Sequence, residues 1–235
     1  MWVKLNGQSS STINGLVITS IPPITAPPRR YNQILIDGRD GDIIEDLGVA
    51  PYDKQFTILL HNSYDPDEVL SFFSSSGDVI FSNEPDKRYL YTMIGNINIA
   101  KGNYNSVKVA TVTLHCQPYK YDAEETPISQ NITSQTSISV TNSGNVTAKP
   151  SIVVTGSGQV TFRMNGDTVL RVTLTSGTPI TIDVEALEAT KADGTSANRL
   201  VTGNIEEMAL RPGSNTISWT GTLNSISISK YSRWI

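Results

Sequence analysis

Apolar and polar positions alternate along most of the chain, and the texture of that alternation changes once. In the first half, Tyr31–Ile36, Lys54–His61, Asp78–Ser82 and Tyr89–Ile94 are short runs rich in β-branched and aromatic residues. Val107–Cys116 alternates for longer, as a half-buried strand does. One segment is helical instead. Asp65 offers an N-cap, Pro66 suits the first helical position, Asp67 and Glu68 favour the first turn, and Val69, Leu70, Phe72 and Phe73 supply an apolar face. Gly77 is placed to stop it. Beyond Ser137, short strands are divided by turn signals at Ser143-Gly144, Gly156-Ser157-Gly158, Asn165-Gly166, Ser176-Gly177, Asp193-Gly194 and Pro212-Gly213. Asn165-Gly166 suits a two-residue type I′ hairpin, and Pro212-Gly213 suits the centre of a type II turn. Between the halves, Tyr121–Asn131 is polar and irregular. The pattern predicts a mainly β protein: residues 1–125 as a β-rich domain with one α-helix, 126–133 as a linker, and 134–235 as a β-sandwich.

Length and charge narrow the class. At 235 residues, 38% hydrophobic and 17% charged, the chain can bury one large core or two modest ones. The net charge of −4 is uneven: 15 acids face 10 bases through Glu125, and 7 face 8 beyond it. Neither half has the basic stripe of a protein that grips nucleic acid. Cys116 is the single cysteine, which excludes an intrachain disulfide and fits folding in a reducing cytoplasm. No signal peptide is visible at MWVKLNGQSSS, and no apolar run approaches the roughly 20 residues of a membrane span.

The densest candidate for chemistry is IDGRDGDIIEDLG, residues 36–48, with Asp37, Asp40, Asp42, Glu45 and Asp46 around Arg39. A calcium loop of the EF type needs acids at alternate positions and flanking helices. Here Arg39 holds the third position and the flanks read as strands. Gly38 and Gly41 instead supply the positive φ of a reversal between Tyr31–Ile36 and Asp42–Ile44. His115 and Cys116 are strand neighbours whose side chains point to opposite faces, so they form no catalytic dyad. With His61 they also fall short of a zinc set. Gly156-Ser157-Gly158 precedes a strand rather than a helix and reads as a turn, not a phosphate loop. Asn131 and Asn145 match the glycan-acceptor pattern but lack a secretory signal. No catalytic residue, metal site or cofactor is expected.

Carbohydrate binding is the second reading. Trp219, Tyr231 and Trp234 lie in the last strands, where exposed rings could stack on sugars. Trp219 and Trp234 are the candidate saccharide contacts; against this, alternation turns Trp219 into the sandwich core. A glycosidase would need paired carboxylates, and nothing singles out Asp183, Glu185 or Glu188.

Several short motifs occur in a telling order: Ile21-Pro-Pro-Ile-Thr-Ala-Pro-Pro-Arg-Arg30, Ile34-Leu-Ile-Asp-Gly-Arg-Asp-Gly41, Tyr52-Asp-Lys54 and Cys116-Gln-Pro-Tyr-Lys-Tyr121. Asn142-Ser-Gly-Asn145, Lys149-Pro150, Leu210-Arg-Pro-Gly-Ser-Asn215 and Tyr231-Ser-Arg-Trp234 follow. Together they resemble the distal tail protein (Dit) family of siphophages that infect Gram-positive bacteria. The resemblance implies a tail-tube-like N-terminal domain that forms a homo-hexameric ring, and a C-terminal galectin-like sandwich. It implies a virion protein, made in the host cytoplasm and placed at the tail tip or baseplate. Its implied partners are the tail tube protein, the tape-measure protein, the tail-tip protein and receptor-binding or baseplate proteins, with genomic DNA passing through the bore unbound. Larger relatives insert carbohydrate-binding modules, for which 235 residues leave little room.

Physical reasoning adds two expectations. DNA must pass such a bore without sticking, and an acidic lining repels phosphate. Asp37, Arg39, Asp40, Asp42, Glu45 and Asp46 are therefore expected at the lumen or at a protomer seam, with Arg39 in an intersubunit ion pair. Pro22, Pro23, Pro27 and Pro28 would make an extended arm lying on a neighbouring protomer.

Overall fold

The computed structural model describes residues 1–61, 63–101 and 107–235. The chain divides into two compact units, Met1–Ala123 with Ile235, and Glu124–Trp234.

The first unit contains β1 (Val3–Leu5), β2 (Gln8–Ser9), β3 (Leu16–Ile18), β4 (Arg29–Ile34), β5 (Ile43–Val49), β6 (Tyr52–His61), α1 (Pro66–Phe73), β7 (Gly77–Phe81), β8 (Lys87–Thr92), β9 (Ala100–Lys101) and β10 (Val107–Asp122). Its main sheet runs β2-β1-β7-β8-β10-β6-β3, with β9 also on β10, while among the described residues β4 and β5 pair only with each other. Alternation in β6 turns Phe56, Ile58 and Leu60 inward. They meet the buried face of α1, Val69, Phe72 and Phe73, and Phe56 contacts both Phe73 and Phe81 with ring centroids 6.1 Å apart. The helix starts as its sequence predicts, with Asp65 Oδ1 accepting from Asp67 N at 2.9 Å. Leu70, expected on the apolar face, points outward and is 40% exposed. The helix ends at Phe73, capped by Ser74. Gly77 therefore does not stop it but opens β7, where a Cβ would lie 1.9 Å from Asn6 Oδ1.

The second unit contains β11 (Ile128–Asn131), β12 (Ser137–Asn142), β13 (Ser151–Met164), β14 (Asp167–Leu174), β15 (Ile180–Asp183), β16 (Glu188–Lys191), β17 (Val201–Gly203), β18 (Gly213–Ser229) and β19 (Arg233–Trp234). The order β11-β18-β13-β14-β17 forms its backbone, with β12 on β18 and β15 bridging β13 and β16. Inward residues of these strands, among them Ile152, Val154, Phe162, Leu170, Ile182 and Ile226, make one continuous core. Asn165 and Gly166 take φ of +52° and +101°, as a type I′ turn requires, and Gly213 takes +89°.

Three expectations change here. Residues 126–133 are not a bare tether, because Ile128–Asn131 pairs in register with Ser225–Ile228 of β18. Gly156-Ser157-Gly158 is not a turn but the irregular middle of β13, where its register against β18 shifts. A Cβ at Gly156 would fall 2.3 Å from Thr222 O, so glycine permits two long strands to stay paired through a bulge. Likewise β10 does not end at Cys116. It crosses Pro118 through a register shift and continues to Asp122.

Candidate docking surface

The acidic stretch lies on a hairpin joined to the first unit by the proline-rich segment. That segment starts on its own domain: Pro22 and Pro27 are buried, whereas Pro23 and Pro28 are exposed. Asn83 Nδ2 donates to Pro22 O at 3.1 Å, and Lys54 Nζ reaches Pro23 O at 3.5 Å. Ala50 N donates to Pro28 O at 2.8 Å and closes the base. The prolines thus form the root of an arm, and the hairpin β4–β5 is the part left without a covering layer.

Register places Tyr31, Gln33, Ile44 and Asp46 on one face and Asn32, Ile34, Ile43 and Glu45 on the other. Each face carries exposed apolar side chains, Tyr31 and Ile44 on the first, Ile34 and Ile43 on the second. Leu35 and Ile36 extend the series to the tip, and Leu35 is 75% exposed. A solvated antiparallel pair ordinarily keeps one face polar. A two-stranded hairpin is also marginal by itself in water. Apolar residues on both faces are what a docking element needs.

Its charges divide into two groups. Asp46 pairs with Arg29 at 2.6 Å, Glu45 accepts from Asn32 at 3.1 Å, and Asp42 accepts from Gln33 at 2.6 Å. These three acids bond across the hairpin at exposed positions. Asp37, Arg39 and Asp40 sit at the tip and have no side-chain hydrogen bond or ion pair among the described residues. Gly38 and Gly41 shape this reversal at φ +82° and +79°.

Against solved structures, the chain matches the SPP1 Dit protein (gp 19.1), described as a paradigm of the hub adsorption apparatus in Gram-positive infecting phages. The TM-score is 0.72 at 14% identity, over 98% of each chain. The chain has the Dit fold. The phage P2 baseplate in its activated conformation gives weaker likenesses: TM-score 0.45 with calcium, at 9% identity over 94% of this chain and 92% of that one, and 0.44 with strontium, at 9% identity over 97% of each. No protein-family profile and no curated protein matches the sequence.

Within this Dit fold the other candidates fall into structural places. His115 and Cys116 do point apart. His115 Nδ1 lies 2.8 Å from Asp53 Oδ1 on the outer face, and Cys116 is fully buried. Burial pushes the Cys116 thiol up to about 12, with nearby Lys54 opposing the shift. His61 is exposed at the end of β6. Among the described residues, no group of three or more His, Cys, Asp or Glu is arranged to hold a metal ion. Trp219 faces Phe162 across β13–β18 and is 4% exposed, so its ring offers no face to a sugar. Trp234 is half-buried. Asp183 accepts from the backbone of Glu185 and Ala186, and Glu185 engages Lys149 and Arg233.

Three buried polar residues of this Dit fold enter the sequence reading only as members of motifs, although each shows the signal of burial, a polar residue at an inward strand position. Lys54 breaks the apolar inward series of β6. Asn142 ends the inward series Ile138, Val140 and donates to Val146 O and Leu210 O. Asn215, inward on β18, bonds the backbone of Arg211 and Gly213.

Proposed function

We propose that the chain is a distal tail protein, a non-enzymatic structural hub at the tip of a siphophage tail. The observation that carries this reading is the end-to-end likeness to SPP1 Dit, which spans both units rather than one common sandwich. In this reading the first unit forms a homo-hexameric ring around a channel that conducts DNA. The galectin-like second unit docks baseplate or receptor-binding components, and the ring joins the tail tube and tape-measure end to the tail-tip protein. The hairpin supports it: an arm apolar on both faces suits a head-to-tail contact repeated around a closed ring. Its strands lie against the neighbouring protomer, and its tip, with Asp37, Arg39 and Asp40, meets the lumen or the seam. Electron microscopy and mass measurement of the purified protein test the proposal. Six-fold rings with a central channel, at six times the 25.5 kDa chain, are expected. A strict monomer at high concentration counts against it.

A further inference from the structure

Lys54 occupies a position that the strand pattern reserves for an apolar side chain. It points inward on β6, between Tyr52 and Phe56 in the alternating series, and is 3% exposed. Its ammonium sits among three rings, 4.4 Å from the centroid of Tyr89, 5.1 Å from Tyr52 and 5.8 Å from Phe81. Such ring faces attract a cation, yet they leave its N–H groups without oxygen acceptors. The one hydrogen-bond acceptor it reaches among the described residues is Pro23 O, in the root of the arm.

A polar chain continues behind this box. The Tyr89 hydroxyl donates to Glu84 Oε2, and Glu84 Oε1 is 2.6 Å from Lys120 Nζ. Glu84 therefore already has its cation and its hydroxyl donor. Its neighbour Asn83 holds Pro22 O, so the turn between β7 and β8 and the side chain of Lys54 grip consecutive carbonyls of the arm. A buried ammonium carries a desolvation cost that a packed apolar residue of similar volume avoids. The three ring faces offset part of that cost, and the oxygen contact that sets Lys54 apart from an apolar residue is its 3.5 Å reach to Pro23 O.

We infer that Lys54 is a latch: from inside the first unit, its ammonium fixes the proline root and so sets the direction in which the hairpin of residues 29–49 leaves the domain. Lys54 is a positioning residue that acts through the arm and touches no partner. Burial lowers its pKa from the ordinary lysine value, while Cys116 and Glu84 oppose that shift and Lys120 adds to it. The consequence for assembly rests on the hub reading above; the latch itself does not.

Limited trypsin digestion separates the two. Arg29 and Arg30 mark the arm root, and cleavage there reports its opening in the unassembled chain. Lys54→Met keeps an unbranched side chain, one atom shorter, and removes the donor. The expected result is cleavage at Arg29 and Arg30 at least tenfold faster than wild type, with Tm equal or higher. Lys54→Leu, a second apolar occupant of different shape, decides the matter if the Met variant does not fold. Cleavage within twofold of wild type in a folded variant overturns the latch. Failure of both variants to fold also overturns it, because a latch is not required for the core. In the assembly assay, Lys54→Met should raise the concentration of half-assembly at least tenfold. A wild-type chain that never assembles defeats the hub reading and leaves the digestion to judge Lys54.

Discussion

Arg29 Nη1 lies 2.6 Å from Asp46 Oδ2 across the root of the hairpin, and both side chains are more than half exposed. Short distance and high exposure pull in opposite directions, and exposure wins, because water screens the pair and two long side chains lose freedom. A double-mutant cycle on Arg29→Ala and Asp46→Ala should give a coupling of about 0.2–1 kcal/mol, falling as salt is raised. Urea unfolding of the four proteins at two salt concentrations measures it.

The apolar residues of the hairpin should behave in the opposite way. Ile34 and Ile44 lie on opposite faces, both exposed, so Ile34→Ser with Ile44→Ser removes little from the folded chain, within about 0.5 kcal/mol per site. Association should fall, with half-assembly shifted at least tenfold in concentration. A matched Asp37→Asn with Asp40→Asn variant at the tip should assemble with far less change. Mass photometry across a dilution series distinguishes the outcomes, and equal losses in both variants would show that the tip charges matter to the proposed association as much as the apolar faces do.

Asn142 gives the sharpest stability prediction in the second unit. Its amide donates to Val146 O at 2.9 Å and Leu210 O at 3.0 Å, and its carbonyl accepts from Gly144 N at 2.9 Å. Asn142→Ala removes the partner of Val146 O and Gly144 N, whereas Leu210 O keeps its bond from Ala148 N at 2.9 Å. The expected cost is about 2–4 kcal/mol, since each buried group left unsatisfied costs about 1–3 kcal/mol and relaxation recovers part. Urea unfolding followed by tryptophan emission reads the loss, and Ser139→Ala on the outward face of the same strand should leave the midpoint nearly unchanged.

The same alternation that exposed most of the fold in the sequence also explains what it concealed. Strands β6, β10 and β18 follow period-2 patterns that survive into the structure, and Asp65-Pro66 sets the helix start by local chemistry alone. The short strands β1, β2 and β3 carry two or three residues each, too few for a period to register; β1 and β3 are held by partners at least 40 residues away in β7 and β6, and β2 pairs with β1. Gly156-Ser157-Gly158 looked like a turn because glycine permits both a reversal and a bulge, and only the closeness of Thr222 decides between them. The hairpin's glycine-shaped reversal was legible, whereas its lack of another strand partner among the described residues was not, since pairing partners are a tertiary property. Trp219 shows the converse: its inward phase on β18 already argued for the core, where its loss should cost about 3–5 kcal/mol as a large-to-small change.

Cys116 couples the first unit's stability to pH. Its thiol is raised from an ordinary value of 9.0 to about 12, chiefly by burial. A raised acid stays neutral in the fold after the unfolded chain has begun to ionise. Its contribution is therefore fully present below about pH 9 and is lost as pH rises from 9 toward 12. Tyr52, raised from 10.0 to about 12, acts in the same direction over the upper part of that window. Lys54 acts oppositely, because its lowered pKa relieves a buried charge as pH rises. Cys116→Ala should flatten the alkaline decline by up to about 1.4 kcal/mol per pH unit, leaving the Tyr52 and Lys54 contributions in place. Urea midpoints from pH 8 to 11 for wild type and variant give that difference directly, and an identical decline in both would reject the assignment. At pH 8 the native thiol should also react with iodoacetamide at least a hundredfold more slowly than in urea, since both burial and protonation withhold the thiolate.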